Sequence, residues 1–410
     1  MRWFISFFFH EMAFGLLSVF LPLYVVNQLH GSLIDVGLMI GLSSFVAIPF
    51  SFFWGYLCDK TEKYRLLILM SFSSLTILLY FFTLTTAIPA LIFLYVLIGI
   101  FHVGNEPPKN VLITESHPRK EWEWGFALFE ALTEAGWALG LIAGFVLFIY
   151  GFSSQDVIRF TCFLSLFALL TSIALVRDPV LAIERRLVNV ERAVGFVCRG
   201  CFLMSQSDFG EVDMRKLTAE SLPIFSAGLL LFTLASSMFF TPLPIFFSHN
   251  FPSLPSSTIY LIFFFNSIAN LFSYLYAGRH SKQVGDKALI KRASVLRTLI
   301  CLFFFIIVFS TSTLTVTLFL STAGLIILGL SYGLFLISAT SLSMELIPRR
   351  SIGLFNALAG LGGAVGCFAG SFFAHYFGFS SLFVICGLLF GLAYLALKLG
   401  LREDFLTEMG

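Results

Sequence analysis

Seven ionisable side chains interrupt stretches that are otherwise apolar, and they fall in three clusters. His10 and Glu11 break the first apolar run. His102, Glu106 and Lys109 break the fourth at spacings i, i+4 and i+7, which puts all three on one helical face, and Glu130 and Glu134 lie one turn apart in the fifth. Placing such a group in a lipid-spanning helix costs about 2.5–3.5 kcal/mol on insertion scales, so each needs a compensating role. The chemistry open to the set is proton exchange, capture of a cationic group, or internal pairing of Lys109 with Glu106 or Glu130. At ~1.5 Å per helical residue, Glu11, Glu106 and Glu134 lie roughly 12 to 14 Å from the same-side ends of their runs, so the three carboxyls share one level. Acids outnumber bases, so not every carboxylate can be paired. The seven residues therefore read as a proton-coupling or substrate-binding cavity. Glu130 and Glu134 also lie across the helix from Gly136, Gly140 and Gly144, which leaves one face for packing and one for a cavity.

The corresponding stretches in the second half are neutral. They offer Asn266, Asn270 and Ser273 along one helical face, with Ser331, Tyr332 and Ser338 on another helix, as hydrogen-bonding and aromatic contacts for a solute. Proton or cation binding is thus expected from the first half and neutral substrate contacts from the second. Gly329-Leu-Ser331-Tyr-Gly333 spells G-x-S-x-G, but inside a long apolar helix, where it reads as packing and not as a hydrolase elbow. Cys198 and Cys201 form a lone C-x-x-C without further ligands at metal spacing. No G-x-x-x-x-G-K loop is present to drive ATP-dependent pumping. No catalytic residue, cofactor, metal or nucleic-acid partner is expected.

The elements that must position these groups follow from composition. The chain has 410 residues, 58% hydrophobic and 12% charged, with a mean hydropathy of +0.93. A water-soluble globule has about a quarter of its residues charged, so lipid is the main solvent here. Apolar runs separated by charged or Pro/Gly-rich breaks cover 3–29, 34–58, 66–85, 88–112, 125–150 and 157–176, then 223–247, 258–278, 293–312, 314–344, 352–376 and 382–401. Each is near the ~20 residues needed to cross the hydrocarbon core. The fifty-two phenylalanines suit lipid-facing helices. No small-residue cleavage pattern follows the first run, which reads as a retained helix.

Basic residues set the orientation. Lys60, Lys63 and Arg65, then Arg119 and Lys120, then the long middle segment, then Arg279, Lys282, Lys287, Lys291 and Arg292, then Arg349 and Arg350 fall in alternate connections, with Arg159 alone on the other side. Both termini are therefore expected in the cytoplasm. In the middle segment Val180, Ile183, Leu187, Val190, Val194 and Val197 recur in steps of three and four between charged residues. This pattern predicts an amphipathic helix on the membrane face or against the bundle, tethering two halves.

The halves repeat. Glu115-x-x-Pro118-Arg119-Lys120 recurs as Glu345-x-x-Pro348-Arg349-Arg350, and Gly140-x-x-x-Gly144 as Gly366-x-x-x-Gly370; Gly151 recurs as Gly378, Pro22 as Pro244 and Gly99 as Gly329. Six spans map onto six in the same order, so the repeat is parallel, about an axis along the membrane normal. The expected fold is all-α integral membrane, twelve transmembrane helices in two six-helix bundles (1–178 and 221–402), joined by a cytoplasmic linker (179–220) and followed by a tail (403–410).

Between the second and third runs lies Gly55-Tyr-Leu57-Cys-Asp59-Lys60-Thr-Glu62-Lys63-Tyr64-Arg65, which resembles the G-x-L-x-D-[RK]-x-G-[RK]-[RK] signature of the major facilitator superfamily, with Glu62 in place of the second glycine. A degenerate copy retains Gly278 and Gly285 but has Lys282 at the acidic position. The resemblance implies secondary active transport of a small organic solute across the cell membrane by a monomer. It also implies a central cavity lined by spans one, four, seven and ten, and a cytoplasmic gate formed by Gly55, Asp59, Lys60, Lys63 and Arg65. Gly55 would permit close helix approach, and Asp59 would face a helix N-terminus in the other half. Trp137 after Gly136 departs from the Gly-Pro element of drug:proton antiporters in this family. The competing expectation is a non-transporting sensor or scaffold that keeps the fold.

Overall fold

A computed structural model describes residues 2–118, 121–178, 222–309, 314–346 and 353–401, and every regular element among them is helical. In the first half these are α1 (Phe4–Leu23), α2 (Leu33–Thr61), α3 (Tyr64–Phe82), α4 (Ile88–His102), α5 (Glu106–Ser116), α6 (Trp122–Ile149) and α7 (Ser154–Leu175). In the second they are α8 (Leu222–Phe240), α9 (Leu243–Asn250), α10 (Ser256–Val284), α11 (Asp286–Val308), α12 (Leu314–Leu346) and α13 (Gly353–Gly400). The amphipathic pattern of 179–220, the C-x-x-C, Arg119, Lys120, the Pro348-Arg349-Arg350 loop and the tail lie outside the described residues.

Ten helical segments of the described residues are long and apolar enough to cross a bilayer. The difference from the twelve apolar runs has two sources. The last two runs join in α13, whose 48 residues would extend about 70 Å at ~1.5 Å each, over twice the ~30 Å hydrocarbon core. Its backbone breaks at Gly378, φ 78° and ψ 168°, a conformation that only glycine adopts readily. The other source is α11, which carries Lys287, Lys291, Arg292 and Arg297 and so falls short of the apolarity of its neighbours.

Local sequence explains the element boundaries. Ser32 with Asp35 and Ser153 with Asp156 form capping boxes that start α2 and α7. Glu62, at φ 50°, ends α2 in a left-handed turn. The fourth run is not one uniform helix: Val103–Asn105 forms a 3-10 turn between α4 and α5. Pro107 and Pro108 lack the N–H groups that would reach the carbonyls of residues 103 and 104, and their rings crowd those carbonyls. The expected single face for His102, Glu106 and Lys109 is therefore rebuilt around a break.

Packing within each half depends on glycine seams. A Cβ on Gly136 or Gly140 of α6 would collide with the carbonyl oxygens of Phe8 and Met12 on α1. Their repeat counterparts behave alike: Gly362 and Gly366 of α13 sit on the carbonyls of Leu230 and Leu234 of α8, and Gly370 on that of Met238. Gly99 rests on Ser43, and Gly329 on Asn266. Gly55 departs from expectation. Among the described residues, a Cβ there would meet nothing within 4 Å; the close approaches of α2 to α13 are instead at Gly37 and Gly41. Phenylalanine is likewise not confined to the outer surface. Phe7, Phe72 and Phe129 in one half, and Phe232, Phe239 and Phe246 in the other, are fully buried and several pack edge to face.

The halves meet along α6 with α10 and α2 with α13. Gly278 lies on Ala127, the Arg279 guanidinium covers the Trp124 ring at 4.9 Å, and Asn27 Nδ2 donates to Ser248 Oγ at 2.8 Å. Replacing Gly140 with Val should cost about 1–3 kcal/mol by forcing α1 and α6 apart, read as a lower thermal unfolding midpoint in detergent. Gly55→Ala should leave the midpoint unchanged or raise it, since helical Gly is ~0.5–1 kcal/mol worse than Ala.

Candidate functional site

The break between α4 and α5 is the centre of a polar cluster facing α1 and α6. His10, only 1% exposed, stacks on Phe72 with ring centroids 4.4 Å apart, and its Nε2 is 3.1 Å from His102 Nδ1. One ring donates and the other accepts in that bond. His10 Nδ1 is buried without a partner. His10, Glu11 and His102 each place a possible ligand atom within 4.8 Å of the others, so this trio could hold a divalent cation. The direct histidine–histidine bond already joins His10 Nε2 and His102 Nδ1 without one.

Lys109 links the cluster to α6. Its ammonium lies 2.7 Å from Glu106 Oε1 and 3.8 Å from Glu130 Oε1, and 5.2 Å from the centre of the Phe129 ring. The ion pairing open to Lys109 in the sequence is thus realised for both acids. The pairs are not sealed: the Glu106 and Glu130 side chains are 39% and 29% exposed, against 10% for Lys109. Glu11 has no ion-pair partner among the described residues. Glu134 has none either, but its Oε1 accepts a short hydrogen bond from Ser267 Oγ on α10, across the junction of the halves. Of the four carboxyl groups, two therefore share the one ammonium of Lys109. The Gly136 and Gly140 seam packs on α1, while Glu134 faces α10.

The neutral residues of the second half divide differently from expectation. Asn266 Nδ2 donates to Leu325 O at 2.6 Å and Ser273 Oγ to Leu330 O at 2.5 Å, so both tie α10 to α12. Gly329 and Gly333 of the G-x-S-x-G pattern pack on Asn266 and Ser273. Asn270 Nδ2 donates to the Tyr274 hydroxyl at 3.2 Å, and its Oδ1 is buried without a partner, as is Ser338 Oγ. Ser331 accepts from the guanidinium of Arg297 at 3.0 Å, and Tyr332 lies against the same group at 5.2 Å. Arg297 is 1% exposed and was missed by the sequence reading, although an arginine in an apolar run is itself the signal: the cost of intramembrane charge applies to both halves alike.

In the last turn of α2 Asp59 and Lys60 are exposed, as is Lys63 just beyond it. Lys60 covers the Tyr56 ring at 5.6 Å. The Arg65 backbone N–H donates to Asp178 at 2.8 Å and its guanidinium to Ile173 O at 2.8 Å, which ties α3 to the end of α7 within the first half. A cavity of about 530 Å³ lies on the outer side of α11, lined by Ala288, Lys291, Arg292, Val295, Leu296 and Tyr394, and includes none of the buried acids.

The family model described as Major Facilitator Superfamily matches residues 3–353. No curated protein sequence matches the chain. Among solved structures, the nucleoside transporter NupG superposes with a TM-score of 0.71 at 13% identity, covering 98% of this chain and 99% of that one. The human organic anion transporter MFSD10 (TETRAN) gives 0.68 at 15% identity, over 97% and 98%.

Replacing Lys109 with Met should destabilise the folded protein by about 1–3 kcal/mol, less than the 3–5 typical of a fully buried pair because the carboxylates are partly exposed. Thermal unfolding in detergent checks this. Adding Glu106→Gln to Lys109→Met should recover part of the loss, giving a non-additive cycle.

Proposed function

The chain belongs to the Major Facilitator Superfamily and is a multi-pass membrane transporter rather than an enzyme, and we propose that it moves a small organic solute across the cell membrane by proton-coupled alternating access. The observation that carries proton coupling is the count of charges in the first half: Glu11, Glu106, Glu130 and Glu134 around the single ammonium of Lys109. Carboxylates in apolar spans without a matching cation are stabilised by taking up a proton, and those that meet water on alternate sides carry it across.

The architecture that serves this function has twelve crossings, both termini in the cytoplasm, and two bundles at 1–178 and 221–402 joined by a cytoplasmic linker. Ten apolar segments, α11 and the break of α13 at Gly378 support that count, and the alternation of basic connections supports the orientation. The bundles rock about their junction as rigid bodies, held internally by the glycine seams. Glu134 has the position of a coupling residue. Its hydrogen bond to Ser267 spans the junction, so separating the bundles there releases the carboxyl group. Lys109 is the exchange partner: protonating either Glu106 or Glu130 leaves the other to hold the ammonium. The names of the two transporters of similar fold, one for nucleosides and one for organic anions, support a small organic solute as cargo. The transporter acts as a monomer, since one chain supplies both halves of the site.

Proteoliposomes loaded with a pH-sensitive dye test the reading. A panel of nucleosides, amino acids and organic acids should include a solute whose addition shifts the internal pH. Glu106→Gln and Glu134→Gln should each cut that shift about tenfold or more while solute counterflow persists. Unchanged pH shifts in both variants would refute proton coupling by these acids, and a lack of counterflow by every solute would favour the sensor.

A further inference from the structure

Among the described residues Arg297 is the one buried arginine or lysine outside the Lys109 cluster. It projects from α11 between α8 and α12. Its Nε donates to Ser331 Oγ at 3.0 Å, Nη1 to Ser236 Oγ at 2.7 Å and Nη2 to Leu328 O at 3.2 Å. Four rings surround the guanidinium carbon: Phe232 at 5.0 Å, Tyr332 at 5.2 Å, Phe390 at 5.4 Å and Phe240 at 5.8 Å. Every acceptor is neutral, and among the described residues no carboxylate lies within ion-pair reach of it. A buried cation is ordinarily matched by an anion. Ring faces and hydroxyls offset its lost hydration but leave its charge uncompensated, and three of its five N–H groups suffice for the bonds above.

The cover over this charge is uneven. Phe232 and Phe390 are fully buried, whereas Tyr332 and Phe240 are half-buried. Tyr332 also packs on the cluster of Ala127 and Ala131 from α6 with Tyr274, Ala277 and Ile337, where the two halves touch. Separating the halves removes the support on one side of the Tyr332 ring and opens a route to the guanidinium. Ser236 on α8 and Ser331 on α12 hold the guanidinium from two sides.

We infer that Arg297 is the anion-binding residue of the transport site, taking the carboxylate of a small organic acid or zwitterion when Tyr332 moves aside. The inference rests on the transport reading above and narrows its cargo. One planar guanidinium matches one carboxylate through two parallel hydrogen bonds. The incoming group replaces the serine hydroxyls as acceptor and supplies the missing negative charge. A phosphate dianion would call for a second cation, and none among the described residues adjoins Arg297.

The test uses purified full-length protein in detergent, with benzoate, lactate and 3-phenylpropionate each measured against its own amide by thermal shift and titration. At least one carboxylate should raise the unfolding midpoint where its amide does not. Arg297→Gln should weaken that carboxylate about tenfold or more, Arg297→Lys should recover part of the affinity, and Tyr332→Ala should strengthen it. Ser236→Ala, which removes a neutral acceptor but keeps the cation, should still bind and serves as the folding control, together with monodisperse elution of each variant. Stabilisation by amides alone, by no carboxylate, or by a carboxylate equally in wild type and Arg297→Gln would overturn the inference. Counterflow separates the two claims: a carboxylate that binds through Arg297 but is never exchanged sinks transport and spares the anion site. Exchange of only neutral solutes, undiminished in Arg297→Gln, does the reverse.

Discussion

A charge buried in an apolar helix bundle must find a counter-charge, neutral hydrogen-bond partners or water, because leaving it bare costs far more than a fold can supply. The two halves of this protein meet that constraint in different ways. In the first, one lysine is shared between two glutamates, two histidines bond each other, and a third carboxyl reaches across to a serine of the other half. In the second, a single arginine is held by two serine hydroxyls, one carbonyl and four rings. The repeat makes the contrast specific. The spacing that pairs Pro22 with Pro244, and Gly99 with Gly329, sets His10 opposite Phe232 and His102 opposite Tyr332. The positions that carry a hydrogen-bonded histidine pair in one bundle carry the two rings that flank Arg297 in the other. An acid-rich cluster in the first half and one buried arginine in the second make a polarised interior.

The glycine seams explain how such a site could be presented alternately to either side. Backbone-on-backbone contact between α1 and α6, and between α8 and α13, leaves no room for relative sliding within a bundle. The junction between bundles mixes close glycine approaches with polar contacts. It is built from Gly278 on Ala127, Gly37 on Ser371, a serine–glutamate hydrogen bond and a guanidinium over an indole. The alternating access proposed above separates these contacts.

Much of this was legible in the sequence, because lipid permits so few solutions. Apolar length gave the helices, the recurring Gly-x-x-x-Gly pairs gave the seams, and the cost of intramembrane charge pointed to His10, Glu11, His102, Glu106, Lys109, Glu130 and Glu134. Other features needed coordinates. Pro107-Pro108 breaks the fourth run, so helical periodicity alone misjudged the shared face of His102, Glu106 and Lys109. Gly55 matches a family motif by identity, yet a Cβ there would touch none of the described residues, since a motif residue fixes its neighbours in sequence and not the helix opposite. Asn266 and Ser273 looked like free donors, yet their hydroxyl and amide groups are used on α12 carbonyls. Arg297 falls under the same charge argument as the acids, as an arginine within an apolar run.

The central claim is that the carboxyl groups of the first half exchange protons within the membrane domain instead of remaining fixed in ion pairs. Infrared difference spectroscopy of the protein in lipid, recorded while pH is stepped, observes that exchange in the carboxyl C=O stretch. A pH-dependent band from protonated carboxyl groups is predicted, and each of Glu11→Gln, Glu106→Gln and Glu134→Gln should remove a part of it. If the band is insensitive to all three substitutions, these acids do not exchange protons and the account is contradicted.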